Sequence, residues 1–233
     1  MSRLTIRFLV GIAIQGAAAL ALIASAAQTH AQRDVDAGSQ SSTAPAAEAD
    51  KKIYSGPQKG ETLGAFPVWL VPVEEKTSEK VDLQELSTKA PLVIAVMHEK
   101  SRPAFQLARL MSLYGERLKD KKLQLYFVIL TEDRSSSESW LRLVRKNFSQ
   151  VTHLTVADGG IEGPGSVGLN RLAAMTIIVV KDAQVTANFA LTQVSAEADG
   201  PGVLQAMSDV VDGGKAPSIR ELTPAPQQMR RRP

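Results

Sequence analysis

The sequence predicts an α/β domain: a central mixed β-sheet flanked by helices, with an extra strand ahead of it. Three apolar runs carry this reading. Leu92 to His98 (LVIAVMH), Leu123 to Leu130 (LQLYFVIL) and Thr176 to Val180 (TIIVV) have no polar alternation. Strands buried on both faces read that way. The segments between the first runs switch to helical spacing, and alternating strand and helix periods place the sheet inside helical layers.

The elements follow in order. Phe66 to Val73 is β-rich but contains Pro67 and Pro72, which suits an edge strand. Val81 to Leu86 reads as a short strand or turn. After the first central run, Pro103 opens a helix in its first turn, where a missing N–H costs nothing. Ala104, Leu107, Ala108, Met111 and Leu118 line one face of that helix. Beyond the second run, Ser135 and Glu138 form a capping-box pattern, and the helix it starts carries Trp140, Leu141, Val144 and Phe148 inward. Leu154 to Val156 is a short strand. Lys181-Asp182-Ala183-Gln184 is a hairpin-like turn into a strand from Val185 to Leu191. Val203, Met207 and Val210 mark a last helix.

The ends differ from the middle. Residues 1–31 have the form of an export signal: Arg3 and Arg7, then an apolar stretch from Phe8 to Ala27, then Thr29-His30-Ala31. Cleavage is expected before Gln32, with Ala24-Ser25-Ala26 as the alternative site. The other reading is an uncleaved membrane anchor, since the stretch approaches the roughly 20 residues that span a bilayer. Either way the chain is expected to be exported, to the periplasm, to the cell envelope or into the medium. Membrane contact is expected only through an uncleaved N-terminal segment. Residues 32–53 are small and polar, and read as a disordered linker that cannot offset the entropy of ordering. The domain is expected over 54–214, and a disordered Pro- and Arg-containing tail over 215–233.

Charge narrows the function. Formal net charge is +3, and without Arg3 and Arg7, 25 basic residues face 24 acidic ones. That balance gives no basis for nucleic-acid binding. The chain contains no cysteine. Disulfides, thiolate metal sites and bacterial lipidation are therefore all excluded.

The layout resembles the thioredoxin-like fold, nearest the thiol-disulfide oxidoreductases and the AhpC/TSA type of peroxiredoxin, over roughly Gly56 to Asp212. Gly56-Pro57 and Gly60-Glu61 before Phe66 are similar to that group's lead-in. Met175 to Asp182 is similar to its Pro-Thr strand and following turn. The resemblance implies a redox motif, Cys-x-x-Cys, where the first central strand meets its helix. Ser101, Arg102, Pro103 and Ala104 stand in that slot. A serine hydroxyl is barely ionised at neutral pH and forms no disulfide, so neither thiol exchange nor peroxide reduction is available. The peroxiredoxin signature Pro-x-x-x-Thr-x-x-Cys is absent. The resemblance also implies a cis-proline facing the motif. Met175 replaces it, and a cis bond without proline costs ~3–4 kcal/mol, so a trans bond is expected between Ala174 and Met175.

Other constellations were weighed. Gly163-Pro164-Gly165-Ser166-Val167-Gly168 matches a dinucleotide phosphate turn, but too few residues precede the Thr176 strand for a crossover helix, so it reads as a loop. Ser101, His98 and Asp133 are a weak candidate triad without a nucleophile elbow. His98, Glu99 and His153, with Asp133 or Asp158, are a metal set without signature spacing. Arg102 at a helix start reads as an anion contact or a solvated side chain. Trp69 and Trp140 read as packing residues, and Lys119, Lys121 and Lys122 as a solvated helix end. No cofactor is expected. The functional expectation is a non-catalytic binding or scaffold module with an unknown protein or peptide partner, engaged near Ser101, Arg102 and Met175. The alternative is an enzyme of another class on this scaffold, or an accessory subunit of an envelope redox system.

Overall fold

The computed structural model describes residues 53–72 and 77–223. The expected export signal, nearly all of the expected linker and the end of the expected tail lie outside the described residues. Among the described residues, no helix is long and apolar enough to cross a membrane.

Seven strands form one mixed sheet: β1 (Pro67–Leu70), β2 (Glu79–Asp82), β3 (Leu92–Met97), β4 (Gln124–Ile129), β5 (Thr152–Ala157), β6 (Met175–Lys181) and β7 (Gln184–Leu191). Their spatial order is β2-β1-β5-β4-β3-β6-β7. β3, β4 and β5 run parallel, while β6, β7, β1 and β2 join antiparallel. Five helices accompany them: α1 (Leu83–Ser87), α2 (Arg102–Arg117), α3 (Arg134–Val144), α4 (Ala196–Asp209) and α5 (Ile219–Leu222).

The period of two along each strand sorts the core into two clusters. Val93, Ala95 and Met97 of β3, with Met175, Ile177 and Val179 of β6, face a cluster roofed by α2, α3, α4 and α5. Leu92, Ile94 and Val96, with Ile178 and Val180, face the other side. The helices flank the sheet unevenly, for a topological reason. α2 links β3 to β4 and α3 links β4 to β5, two right-handed crossovers stepping the same way, so both land on one face. The second face is covered by α1, by Leu63 and Phe66 ahead of β1, and by the connection 158–174, which buries Val167.

Several sequence expectations are corrected. β1 is interior, not an edge: it lies between β2 and β5. Pro67 is its first residue and Pro72 lies past its end, so neither interrupts the ladder. The start of α3 is also displaced. Asp133 is the cap, its Oδ1 accepting the N–H of Ser136 at 2.9 Å. Ser135 is inside the helix, and Glu138 pairs with Arg134 and Arg142 one turn either side. Phe148 follows α3 rather than belonging to it, and is buried beyond a 3-10 turn. The folded region also runs past 214. Ser218 and Glu221 form a capping box, and Leu222 enters the core.

The hairpin turn stands where expected, with Asp182 and Ala183 both at positive φ (52° and 62°). The connection holding Gly163 to Gly168 is more buried than a free loop: Gly163, Pro164 and Val167 are all buried. No helix follows this run before β6, so it lacks the helix N-terminus that a dinucleotide turn needs.

Candidate functional site

The slot lies where β3 meets α2. Ser101 is the N-cap of α2, its hydroxyl accepting the N–H of Ala104 at 3.3 Å. That is the ordinary structural use of serine at a helix start. Arg102 and Pro103 are exposed, and Pro103 lies in the first turn, as its fixed φ and missing N–H require. Ala104 is fully buried under the helix. Met175 is likewise fully buried, paired in register with Met97 at the adjoining end of β3. A partner reaching this place therefore meets Arg102 and Pro103, not Met175 or Ala104.

The loop of residues 98–101 is fastened at several points. The carbonyl of Ala174 accepts from the N–H groups of His98 and Glu99 (3.1 and 3.3 Å). The N–H of Ala174 donates to Leu191 at 2.7 Å. Both main-chain groups that precede Met175 are thus spent inside the fold, leaving none to pair with an extended peptide. Lys100 donates to Ser137 Oγ at 3.2 Å and lies 5.3 Å from the Trp140 ring centre. This ties the loop to α3.

His98, Ser101 and Asp133 are not assembled into a triad. Side-chain alternation sends His98 to the second face, with Ile94 and Val96, whereas Ser101 caps a helix on the first. His98 Nε2 meets Thr176 Oγ1 at 2.9 Å, and Thr176 Oγ1 meets Ser55 Oγ at 2.6 Å. Ser55 Oγ also accepts the N–H of Asn170 at 3.0 Å. Burial pushes the His98 imidazole down to about 4, so the ring is neutral at physiological pH. Asp133 is occupied in capping α3.

The proposed metal ligands are also dispersed. His153 stacks on Tyr126 with ring centres 4.7 Å apart. Asp158 binds Lys80 at 2.6 Å, and that bond with Lys80 holds its carboxyl below the usual range. No three His, Asp or Glu side chains converge among the described residues. The tryptophans serve as packing: Arg134 lies 4.1 Å over Trp69, and Trp140 meets Phe105 edge-on.

Sequence reading missed two features. The first is the chain Asn170–Ser55–Thr176–His98, buried at Ser55 and Thr176 and half-buried at its two ends, whose three segments lie too far apart in sequence to leave a local signal. The second is a groove of about 740 Å³ beginning at Pro103 and running between α2 and α4. Leu110, Leu113, Val194, Ile219 and Leu222 line it, with Arg109 at its side. Its α5 wall fell within the expected disordered tail, which hid it.

The architecture and the filled slot define the class: a thioredoxin-like fold without the sulfur that gives such folds their redox chemistry. A solved protein from Bacteroides thetaiotaomicron, named as a protein disulfide isomerase, superposes with a TM-score of 0.51. It is 14% identical, over 69% of this chain and 95% of that one. A thiol:disulfide interchange protein, named DsbE, of Chlorobium tepidum gives 0.48 at 16% identity, over 69% and 99%. A reduced peroxiredoxin of Plasmodium vivax gives 0.47 at 10% identity, over 67% and 81%. At these identities the likeness is one of fold alone. No family model and no curated protein sequence matches the chain.

Proposed function

We propose that the chain is an exported, non-catalytic thioredoxin-like domain that acts by binding a protein or peptide partner. One observation carries the reading. The place that holds the reactive pair in the resembled oxidoreductases is here a capped helix start, with Ser101 bonded to its own helix, Arg102 and Pro103 exposed, and Ala104 sealed beneath. Among the described residues, no hydrogen bond joins this capping hydroxyl to a histidine or carboxylate that could activate it, and His98 is bonded to Thr176 instead. What remains accessible is surface: Arg102 and Pro103 are exposed, and Pro103 stands at one end of the groove that Leu110, Leu113, Ile219, Arg109 and Glu197 line. Such a place suits a segment with an apolar anchor and a polar flank that meets both Arg109 and Glu197. Export rests on the N-terminal signal pattern of residues 1–31.

Site-specific photocrosslinking in the producing cell tests this. A crosslinker at Arg102 or Gln106 is expected to trap one discrete species, and the same group at Lys119 is not. Leu113→Asp, which places a charge in the groove, is expected to abolish the trapped species. Equal trapping from all three positions, or none from Arg102 and Gln106, contradicts the proposal.

A further inference from the structure

The Asn170–Ser55–Thr176–His98 chain joins three parts of the molecule distant in sequence. Ser55 belongs to the segment leading into the domain, Asn170 to the connection before β6, and His98 to the loop before α2. Ser55 and Thr176 are buried (1% and 0% exposed), so their hydroxyl hydrogens need partners within the protein. Only one arrangement supplies them. Ser55 accepts from the Asn170 N–H and donates to Thr176. Thr176 donates to Nε2 of His98, which is then the bare nitrogen of a neutral ring.

Protonation reverses the end of this chain. Nε2 becomes a donor, Thr176 must turn its hydrogen back toward Ser55, and Ser55 already accepts from Asn170. The Ser55 hydrogen is then left without an acceptor in a buried position, a costly state. We propose that this relay is an acid-sensitive latch: proton uptake by His98 unfastens the segment around Ser55 and the connection around Asn170 from the sheet. Neighbouring bonds define what is released. Gly56 N–H donates to Gly168 O, Asn170 Nδ2 to Tyr54 O, and Asn188 Nδ2 to the carbonyls of Ser55 and Pro57.

The surroundings leave His98 as the switching group. Glu99, Lys100 and Arg102 follow His98 in its own loop and α2, Glu132 and Asp133 lie between β4 and α3, and Arg171 and Tyr54 belong to the fastened segments; none of them is a cause of the His98 shift. Lys100 is turned to Ser137, Asp133 caps α3, and Arg171 pairs with Glu162. Burial, not a neighbouring charge, lowers the His98 imidazole.

The sign follows from linkage. Above pH 6.5 neither latched nor released ring holds a proton, and the latch is indifferent to pH. Between 6.5 and about 4 only the released ring takes one up, so the latched form loses ground with each step into acid. Below about 4 both forms are protonated and the dependence ends, after a total change of about 300-fold.

Amide hydrogen exchange on the purified full chain, corrected for intrinsic rates, reads this directly. The Asn170 and Gly56 amides are expected to lose protection by up to that factor between pH 6.5 and 4, while Ile94 in central β3 keeps its own. His98→Gln, whose amide carbonyl accepts from Thr176 and does not titrate, is expected to flatten the response. The His98 ring signals of the unsubstituted chain provide a second readout, and are expected to titrate near pH 4. The latch is overturned if His98→Gln shows the same acid loss, if His98 titrates at the usual imidazole value, or if Ile94 loses protection together with Asn170.

Discussion

Thr176 does two jobs at one position. Its backbone sits in the sheet between β3 and β7, and its hydroxyl links His98 to Ser55. Thr176→Val keeps the shape and removes the hydroxyl, leaving Ser55 and His98 each short of a partner. A loss of about 1–3 kcal/mol is expected, measured as a lower urea midpoint at neutral pH, with Thr176→Ser recovering most of it. Sequence could not single out this residue. Thr176 lies in a run of apolar β-formers, and its partner Ser55 is 121 positions away. Ser101 is the contrary case. Pro103 marks the helix start in the sequence, and Ser101, read there only as a slot residue and a triad candidate, proves to be the cap of that helix.

Elements were legible where one pattern dominated and ambiguous where two overlapped. The continuous apolar runs became β3, β4 and β6 because nothing else in those segments competes with burial. At α3 the sequence reading takes the Ser135–Glu138 capping-box pattern as the start and passes over Asp133, which lies two residues earlier and is the cap. The Asp133 cap prevails, and starting there lets the largely buried Glu138 side chain bridge Arg134 and Arg142. Asp133→Ala is therefore expected to cost about 0.5–2 kcal/mol, and Ser135→Ala close to nothing. Thermal unfolding of the two variants separates them, and the reverse order contradicts the cap assignment. The β6–β7 turn offers a gain instead. Ala183 is held at φ 62°, a left-handed conformation costing an L-residue about 1–2 kcal/mol. Ala183→Gly is expected to raise the denaturation midpoint by roughly half of that, since glycine gives back part of the gain as unfolded-state entropy.

At the scale of the whole molecule, the fold was legible and the site only partly so. Alternating periods dictate a layered α/β sheet, but the sequence does not say which face each helix takes. The consecutive right-handed crossovers decide that for α2 and α3, and α4 and α5 pack on the same side after β7, leaving the other side to α1 and irregular chain. The helix-start slot was assigned from the resemblance alone, whereas the groove beside it depends on α5, four residues inside an expected tail. If the slot is placed correctly, its geometry should still accept a disulfide. Residues 101 and 104 are the cap and third position of one helix turn, about 5–6 Å apart at Cα, within disulfide range. Ser101→Cys combined with Ala104→Cys is expected to oxidise in air to an internal disulfide, read as a loss of two hydrogens in the intact mass.

The most direct test of the central claim is the rate at which purified chain accelerates insulin reduction by dithiothreitol, with every other protein removed. The account predicts a rate equal to that of dithiothreitol alone at all chain concentrations, because no group in the sequence can form the mixed disulfide. A rate rising in proportion to added chain contradicts it.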